Sequence, residues 1–216
     1  MTTSAELAAR RAEMVERQLR QRGIRDERVL AAMARVPREL FVPPDLRSLA
    51  YADEALPIGS GQSISQPYMV ALICGLLALR GGERVLDVGA GSGYQAAVLA
   101  ELAGEIDAIE RLPGLADAAR ASLADAGYAD RVRVHLGDGT LGLPERAPFA
   151  GIAVAAAAPR VPQALYDQLE EGGRLVVPVG GGWSQRLEAI VRTADGPEVV
   201  HSVACRFVPL LGAEGF

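Results

Sequence analysis

Apolar positions recur at helical spacing in the first third of the chain and in strand-like runs after Glu83. In the first part, apolar residues three or four positions apart predict amphipathic helices, and proline-punctuated stretches between them predict short helical turns. Gly23 ends the first helix, and Asp26 can cap the second. The predicted helices and turns are Ala5–Arg22, a helix after Asp26 to about Ala34, Arg38–Phe41, Asp45–Leu49 and Gln66–Leu79.

After Glu83 the chain alternates between short apolar runs and longer amphipathic segments. The predicted strands are Arg84–Val88, Glu105–Glu110, Val132–Leu136, Phe149–Ala155, Gly173–Pro178, Leu187–Thr193 and Val199–Val208, and the predicted helices are about Gly93–Ala103, Leu112–Ala126 and Val161–Leu169. Alternation of strand and helix implies a parallel sheet covered on both faces, and only a turn separates the last two strands. We therefore expect an α/β fold with a doubly wound, mostly parallel seven-stranded sheet, an antiparallel C-terminal hairpin and an N-terminal helical extension.

Length and composition favour one domain. The 216 residues are 50% hydrophobic, which is enough for one sizeable core. We expect a single domain over 1–216, composed of a helical extension (1–57), a loop and helix start (58–70) and an α/β core (83–216). No stretch approaches the roughly 20 apolar residues of a membrane span, and the N-terminus lacks a secretory signal. Two cysteines, Cys74 and Cys205, cannot form a disulfide framework, so we expect a cytoplasmic location.

The charged residues exclude several kinds of chemistry. All 22 basic residues are arginine, so the chain can provide neither a Schiff-base lysine nor a phosphate-loop lysine. His135 and His201 have no Cys or His neighbour at metal-ligand spacing, so we expect no metal, and His135 in its strand is typical of a structural histidine. The net charge of −5 argues against nucleic-acid binding.

A glycine-rich turn follows the first strand of the predicted sheet. Gly89, Gly91 and Gly93 stand at every second position, which lets backbone approach a ligand where a Cβ would clash. The sixth place of a dinucleotide fingerprint holds the bulky Tyr94 instead of Gly or Ala. The turn therefore favours a nucleoside ligand without a pyrophosphate, of which S-adenosylmethionine is the obvious example. The alternative is a turn that only packs a helix onto a sheet.

Three acidic residues stand at or near the ends of the first three predicted strands. Asp87 directly precedes the glycine turn, Glu110 ends the second strand 23 residues later, and Asp138 ends the third beside Gly139. The spacing of Glu110 suits a carboxylate that accepts both ribose hydroxyls. Asp138 could accept from an adenine amine, with Gly139 allowing the base close to the backbone. Asp87 could face the ligand or hold the turn by accepting backbone N–H bonds.

The segment Ile58–Val70 is rich in glycine and hydroxyl groups and is expected to be a flexible loop. Ser65 lies before a helix that Pro67 can open at its first position, so Ser65 could simply be the N-cap. Yet Ser60, Gln62 and Ser63 supply more polar groups than a cap requires. This segment is therefore a candidate for the reaction site.

With these motifs the chain resembles the protein-L-isoaspartate O-methyltransferase family over nearly its whole length. The most specific segments are 61–68, 86–94, 137–139, 156–159 and 206–210. The resemblance implies a Rossmann-like S-adenosylmethionine-dependent methyltransferase fold, with Ser65 as the active-site serine. The cofactor-binding residues expected are Gln62, Ser63, Ile64, Asp87, Gly89, Gly91, Glu110, Asp138 and Gly139. The substrate-binding residues expected are Ser60, Ser63, Val208, Pro209 and Leu210.

The resemblance also implies the chemistry. An isoaspartyl residue carries a free α-carboxylate that is ionised at pH 7, so it could attack the methyl group of S-adenosylmethionine without a general base. S-adenosyl-L-homocysteine and a methyl ester would result, and the ester is lost as a succinimide forms without the enzyme. The implied partners are isoaspartyl proteins and peptides, with no membrane or nucleic-acid partner, and we expect a monomer.

The chain departs from the family pattern at several positions, and rival functions share its motifs. Ser63 stands where relatives usually carry Thr, and Ala150 and Ala155 stand where polar residues are common, which leaves the fourth strand end apolar. An aspartyl O-methyltransferase dedicated to one partner peptide would share every motif. A non-catalytic S-adenosylmethionine-binding module and a nicotinamide oxidoreductase are two further candidate functions, and Tyr94 argues against the oxidoreductase.

Overall fold

The computed structural model describes residues 3–182 and 184–216, so the first two residues of the predicted extension 1–57 lie outside the described residues. The extension begins with α1 (Ser4–Glu13), which continues as a π-helical stretch over Met14–Arg20. The segment predicted as one helix thus has an α-helical first half and a π-helical second half. The second half buries Met14 and Leu19. The second helix, α2 (Glu27–Arg35), is capped by Asp26 as predicted: its carboxylate accepts from the backbone N–H of Arg28 at 2.8 Å.

A two-stranded hairpin replaces the flexible loop that the sequence predicted. The helical turns Arg38–Phe41 and Pro44–Leu49 lead into β1 (Leu56–Gly59), which pairs antiparallel with β2 (Gln62–Ile64). Helix α3 (Pro67–Leu76) follows with Pro67 in its first turn, as expected. Gln66 occupies the N-cap, so the interpretation of Ser65 as the cap is wrong. The helix ends before the predicted Leu79, because Ala78 takes the left-handed backbone conformation at φ 51°.

The core is one seven-stranded sheet in the order β5-β4-β3-β6-β7-β8-β9. Its strands are β3 (Arg84–Val88), β4 (Glu105–Glu110), β5 (Val132–Leu136), β6 (Phe149–Val154), β7 (Leu169–Gly181), β8 (Ser184–Thr193) and β9 (Gly196–Cys205). Strands β3 to β7 pair in parallel, and β8 and β9 add antiparallel. This confirms the predicted fold class, including the C-terminal hairpin.

Helices α4 (Tyr94–Ala100), α5 (Pro113–Asp125) and α6 (Gln163–Asp167) make the crossovers, each shorter than predicted. Apolar clusters form on both faces of the sheet: Val85 and Ala153 belong to one, and Leu86 and Ile152 to the other. Strand β3 lies between β4 and β6, so the strand order reverses beside its carboxyl end. In such sheets a crevice for ligands opens at this point.

The last predicted strand, Val199–Val208, is displaced toward the N-terminus. Strand β9 starts at Gly196 and ends at Cys205. Val208 and Leu210 instead join backbone hydrogen bonds with Ala157, beyond the end of β6.

Among the described residues, no helix is long and apolar enough to cross a membrane.

Candidate functional site

A cleft opens where the strand order reverses. Its empty space, including the part that is open to solvent, is about 890 Å³. Its lining comes from the β2 segment (Gln62, Ser63, Ile64, Ser65), α3 (Val70), the glycine turn and α4 (Val88, Gly89, Ala90, Gly91, Ser92, Tyr94, Gln95), the end of β4 (Ile109, Glu110, Arg111, Leu112), Gly139, Ala155, Ala156 and the C-terminal segment Val208–Leu211.

The glycine turn forms one wall of the cleft. Gly89 has φ +85°, and its N–H donates to the carbonyl of Ile109 at 2.9 Å. Gly91 has φ +53°, and a Cβ there would lie 3.2 Å from Ile58 Cδ1. These conformations suit glycine and leave backbone exposed to a ligand. Tyr94, in the sixth place, is buried, and its hydroxyl points to Met33 in the helical extension at 3.7 Å.

Glu110 lines the cleft and holds the backbone around it. One carboxylate oxygen accepts from the N–H groups of Arg111 at 2.8 Å and Leu112 at 2.9 Å. The other accepts from Gly91 at 2.9 Å. A carboxylate has about four acceptor positions, so three are used and one is left for a ligand hydroxyl. The structure therefore gives Glu110 the turn-holding role that the sequence left open for Asp87.

Asp87 is wholly buried in β3, outside the lining of the cleft. One oxygen accepts from Gln95 Nε2 at 2.7 Å, while the other has no hydrogen-bond partner within the described chain. Burial, with a smaller contribution from the nearby charge of Glu110, raises the pKa of Asp87 to about 7. Asp87 could therefore act on a cofactor only indirectly, through its hydrogen bond with Gln95, which lines the cleft.

Asp138, for which an adenine contact is expected, holds the C-terminal segment and is not among the residues that line the cleft. One carboxylate oxygen accepts from the N–H of Thr140 at 2.9 Å and from its hydroxyl at 2.7 Å. The other accepts from the N–H of Ala213 at 2.8 Å. Burial opposes ionisation, but these hydrogen bonds outweigh it and lower the pKa of Asp138. Gly139 does line the cleft, and a Cβ there would lie 2.7 Å from Val88 Cγ1.

The β2 segment also contributes polar groups to the lining of the cleft. Gln62, Ser63 and Ser65 all line it, and Ser65 is half-buried directly after the strand. Ser60 does not: it is exposed in the hairpin turn with φ 52°. Ser60, which was expected to contact substrate, therefore lies outside the cleft lining, because the turn carries it beyond β2.

The C-terminal segment closes the third side. Ala157 N–H donates to the carbonyl of Val208 at 2.8 Å, and Leu210 N–H donates to the carbonyl of Ala157 at 2.7 Å. These bonds bring Val208, Pro209 and Leu210 into the lining, where the sequence placed them. Ala155 and Ala156 complete an apolar wall beside them.

Sequence reasoning missed several residues at the site, among them Gln95, Arg111 and Arg38. Gln95 and Arg111 line the cleft next to predicted positions, and their place after the glycine turn and after Glu110 could have indicated them. Arg38 is wholly buried and donates to the carbonyl of Ser65 at 2.9 Å. An arginine between prolines carries no local signal for such a position.

Residues outside the cleft behave as structural groups. His135 Nε2 lies 2.8 Å from Asp107 Oδ1, which agrees with its interpretation as a structural histidine. Cys74 is buried and Cys205 is half-buried, and both are free thiols. In residues 3–182 and 184–216, no group of three or more His, Cys, Asp or Glu side chains could hold a metal ion.

Comparison with known proteins gives a consistent result. The family model for protein-L-isoaspartate (D-aspartate) O-methyltransferase matches residues 9–215. A protein-L-isoaspartate O-methyltransferase 2 from Marinobacter nauticus is 58% identical over 205 residues, covering 94% of this chain and 93% of the relative. A protein-L-isoaspartate O-methyltransferase from Methanoculleus marisnigri is 53% identical over 206 residues, covering 95% and 93%.

A solved structure has the same architecture. A crystal structure from Plasmodium falciparum, described as a protein-L-isoaspartate O-methyltransferase in complex with S-adenosyl-L-homocysteine, superposes with a TM-score of 0.78. It is 25% identical, and the match covers 93% of this chain and 98% of that chain.

Proposed function

Because this chain belongs to the protein-L-isoaspartate (D-aspartate) O-methyltransferase family, we propose that its central cleft is the site of methyl transfer. The enzyme methylates the free α-carboxylate of L-isoaspartyl residues in proteins, with S-adenosylmethionine as the methyl donor. The observation that carries the proposal is that the β2 segment with Ser65 and the glycine turn line the same cleft.

The residues present fit the methyl donor. Glycine conformations at Gly89 and Gly91 leave backbone open to close approach, and Glu110 retains acceptor capacity for a ribose hydroxyl. Gly139 provides a surface without a side chain for a flat base. When bound, S-adenosylmethionine supplies a methyl group on a positively charged sulfur.

Ser65 positions the substrate in this proposal. The substrate carboxylate is ionised at pH 7 and needs no base to remove a proton. The Ser65 hydroxyl donates to one carboxylate oxygen, which leaves the other oxygen to form the bond to the methyl carbon as the carbon–sulfur bond breaks. Positioning of this kind can contribute about 7–11 kcal/mol in well-oriented systems.

The apolar wall contributes by excluding water. An anionic oxygen and a sulfonium lose their charges together when the methyl group moves, so a medium of low dielectric constant favours the transfer. Ala155, Ala156, Val208 and Leu210 provide such surroundings on one side of the cleft. The alanine at 155 is thus compatible with the chemistry.

The proposal extends to the partners and the location of the enzyme. Its substrates are isoaspartyl proteins and peptides in general, no metal takes part, and the enzyme acts as a monomer in the cytoplasm. The net charge of −5 supports the absence of a nucleic-acid partner.

Methyl transfer from labelled S-adenosylmethionine to a synthetic isoaspartyl peptide tests the function, with the aspartyl twin of the same sequence as the control. We expect base-labile methyl ester on the isoaspartyl peptide and none on its twin. Methylation of neither peptide would overturn the proposal. Equal methylation of both would favour an aspartyl methyltransferase.

A further inference from the structure

Arg38 is a buried cation behind the cleft, and the mechanism proposed above does not use it. Its side chain is wholly buried in the helical turn Arg38–Phe41 of the extension. Burial lowers the pKa of Arg38 to about 10, which still leaves the guanidinium charged at neutral pH. Carbonyl groups rather than carboxylates receive its hydrogen bonds.

Two hydrogen bonds tie Arg38 to segments on either side of the hairpin. Nε donates to the carbonyl of Ala50 at 2.7 Å, and Nη2 donates to the carbonyl of Ser65 at 2.9 Å. The carbonyl of Ala50 belongs to the extension, whereas that of Ser65 belongs to the cleft wall. The planar guanidinium therefore fixes the distance and the angle between these two segments.

The same guanidinium lies against the glycine-turn side of the cleft. Its Cζ is 4.8 Å from the ring centroid of Tyr94, which is close enough for a cation–π contact. Tyr94 opens α4 directly after the glycine turn and lines the cleft. Arg38 thus contacts both walls: the serine segment through a hydrogen bond and the cofactor turn through an aromatic face.

This contact restrains the backbone at Ser65. On one side, Ile64 is fixed by its pairing with Leu56 in the hairpin. On the other side, rotation about ψ of Ser65 would swing its carbonyl away from Arg38. With the backbone held, the Ser65 hydroxyl has only the few staggered directions that its Cβ allows.

From this geometry we infer that Arg38 is a positioning residue for methyl transfer, which aims the Ser65 hydroxyl at the substrate carboxylate. The inference rests on the proposed function. One guanidinium nitrogen, Nη1, has no partner within the described chain although it is buried, so the arrangement does not maximise stability. Stability alone therefore does not account for a buried arginine at this place.

A double-mutant cycle tests the inference on the full chain. Arg38→Lys keeps the positive charge, but a single ammonium cannot reproduce the fork that spans both carbonyls. We expect kcat on the isoaspartyl peptide to fall about 10-fold or more, because small misplacements of reacting groups are costly. The dissociation constant for S-adenosylhomocysteine should change little. In the Ser65→Ala background, Arg38→Lys should cause almost no further loss of kcat.

Arg28→Lys is the matched control. Arg28 also bridges two backbone carbonyls, donating to Leu79 at 2.5 Å and to Leu102 at 2.8 Å. Those carbonyls lie outside the cleft lining, so this variant should lower the melting temperature without a selective loss of kcat. It separates a positioning effect from a general effect on folding.

The outcomes discriminate between the two proposals. If the wild-type enzyme does not methylate the isoaspartyl peptide, the proposed function fails. If the wild-type enzyme is active but Arg38→Lys loses no activity, or loses the same factor with and without Ser65, the positioning role is overturned. Should Arg38→Lys not fold, Arg38→Gln, which keeps one donor, takes its place. If neither variant binds S-adenosylhomocysteine, Arg38 is required for the folded core rather than for positioning Ser65, and the positioning role is overturned.

Discussion

At the scale of single residues, two acidic side chains close to the cleft have opposite surroundings. Glu110 is 7% exposed and accepts three backbone N–H bonds. Asp87 is fully buried with one side-chain donor, and its burial stabilises the neutral form. Similar residues in neighbouring strands thus serve different purposes: Glu110 holds the backbone of the glycine turn, whereas burial raises the pKa of Asp87.

Ser65→Ala should lower kcat on an isoaspartyl peptide by about 10- to 100-fold, which is the range for loss of one hydrogen bond to a charged group. Affinity for S-adenosylhomocysteine should change little. Steady-state kinetics and calorimetry measure the two quantities. The exposed Ser48 provides the control, since Ser48→Ala should leave both unchanged. Turnover near the wild-type value would rule out the role of Ser65.

Glu110→Ala should weaken S-adenosylhomocysteine binding by about 10- to 100-fold, because both a ligand acceptor and the support of the glycine turn are lost. Glu105→Ala is the matched control at the start of the same strand, where Glu105 pairs with Arg84 and Arg146 on the surface. Isothermal titration calorimetry measures the affinities. Equal affinity of Glu110→Ala and wild type would contradict the ribose assignment.

Asp87 should make the free protein less stable as pH rises. Its pKa is about 7 when folded and about 3.9 when unfolded, so between these values the folded chain holds a proton that the unfolded chain has lost. Stability from this group is present below about pH 4 and declines toward pH 7, by up to about 1.4 kcal/mol per pH unit. Glu110 and the buried thiol of Cys74 are the ionisable groups that interact with it.

Urea denaturation of Asp87→Asn and wild type at pH 5 and pH 8 checks this prediction. The stability of the variant relative to wild type should be higher at pH 8 than at pH 5. Asp117→Asn, at an exposed ion pair with Arg120 on α5, should show no such difference between the two pH values. A relative stability of Asp87→Asn that does not change with pH would refute the raised pKa.

At the scale of elements, the local pattern of apolar residues predicts the strands. Contacts between residues far apart in the sequence decide which side chains hold the cleft together. Strands β3, β4 and β5 have the predicted bounds, because continuous apolar runs between turns are strong local signals. The β1–β2 hairpin was missed, since Pro57 and the glycines of this segment are typical of loops. The role of Asp138 could not be predicted, because its partner Ala213 is 75 residues away. The same holds for Arg38 and Ser65, 27 residues apart.

Asp138→Ala should destabilise the ligand-free protein, because the C-terminal segment loses its anchor. Loss of these hydrogen bonds costs about 1–3 kcal/mol, which lowers the melting temperature by about 2–4 °C per kcal/mol for a chain of this size. Thermal denaturation without ligand measures it, with the exposed Asp130→Ala as control. An unchanged melting temperature combined with weaker S-adenosylhomocysteine binding would contradict the anchoring role and support the adenine contact expected for Asp138.

At the scale of the whole molecule, the cleft is assembled from several parts of the chain that lie far apart in the sequence. The β2 segment, the glycine turn, the end of β4 and the C-terminal segment Val208–Leu211 meet around it. Arg38 and Tyr94 link this assembly to the helical extension. A ligand that touches several of these parts can form its contacts only in the folded chain. Binding and global stability are therefore coupled.

This coupling predicts a thermal shift that identifies the ligand class. S-adenosylhomocysteine at 100 times its dissociation constant should stabilise the fold by about 2.7 kcal/mol, which corresponds to a rise in melting temperature of about 5–10 °C. NADH at the same concentration should give no shift, because Tyr94 fills the place that a dinucleotide turn keeps small. Differential scanning fluorimetry measures both, and Glu110→Ala should reduce the first shift. A shift with NADH and none with S-adenosylhomocysteine would mean that the cleft binds a different cofactor.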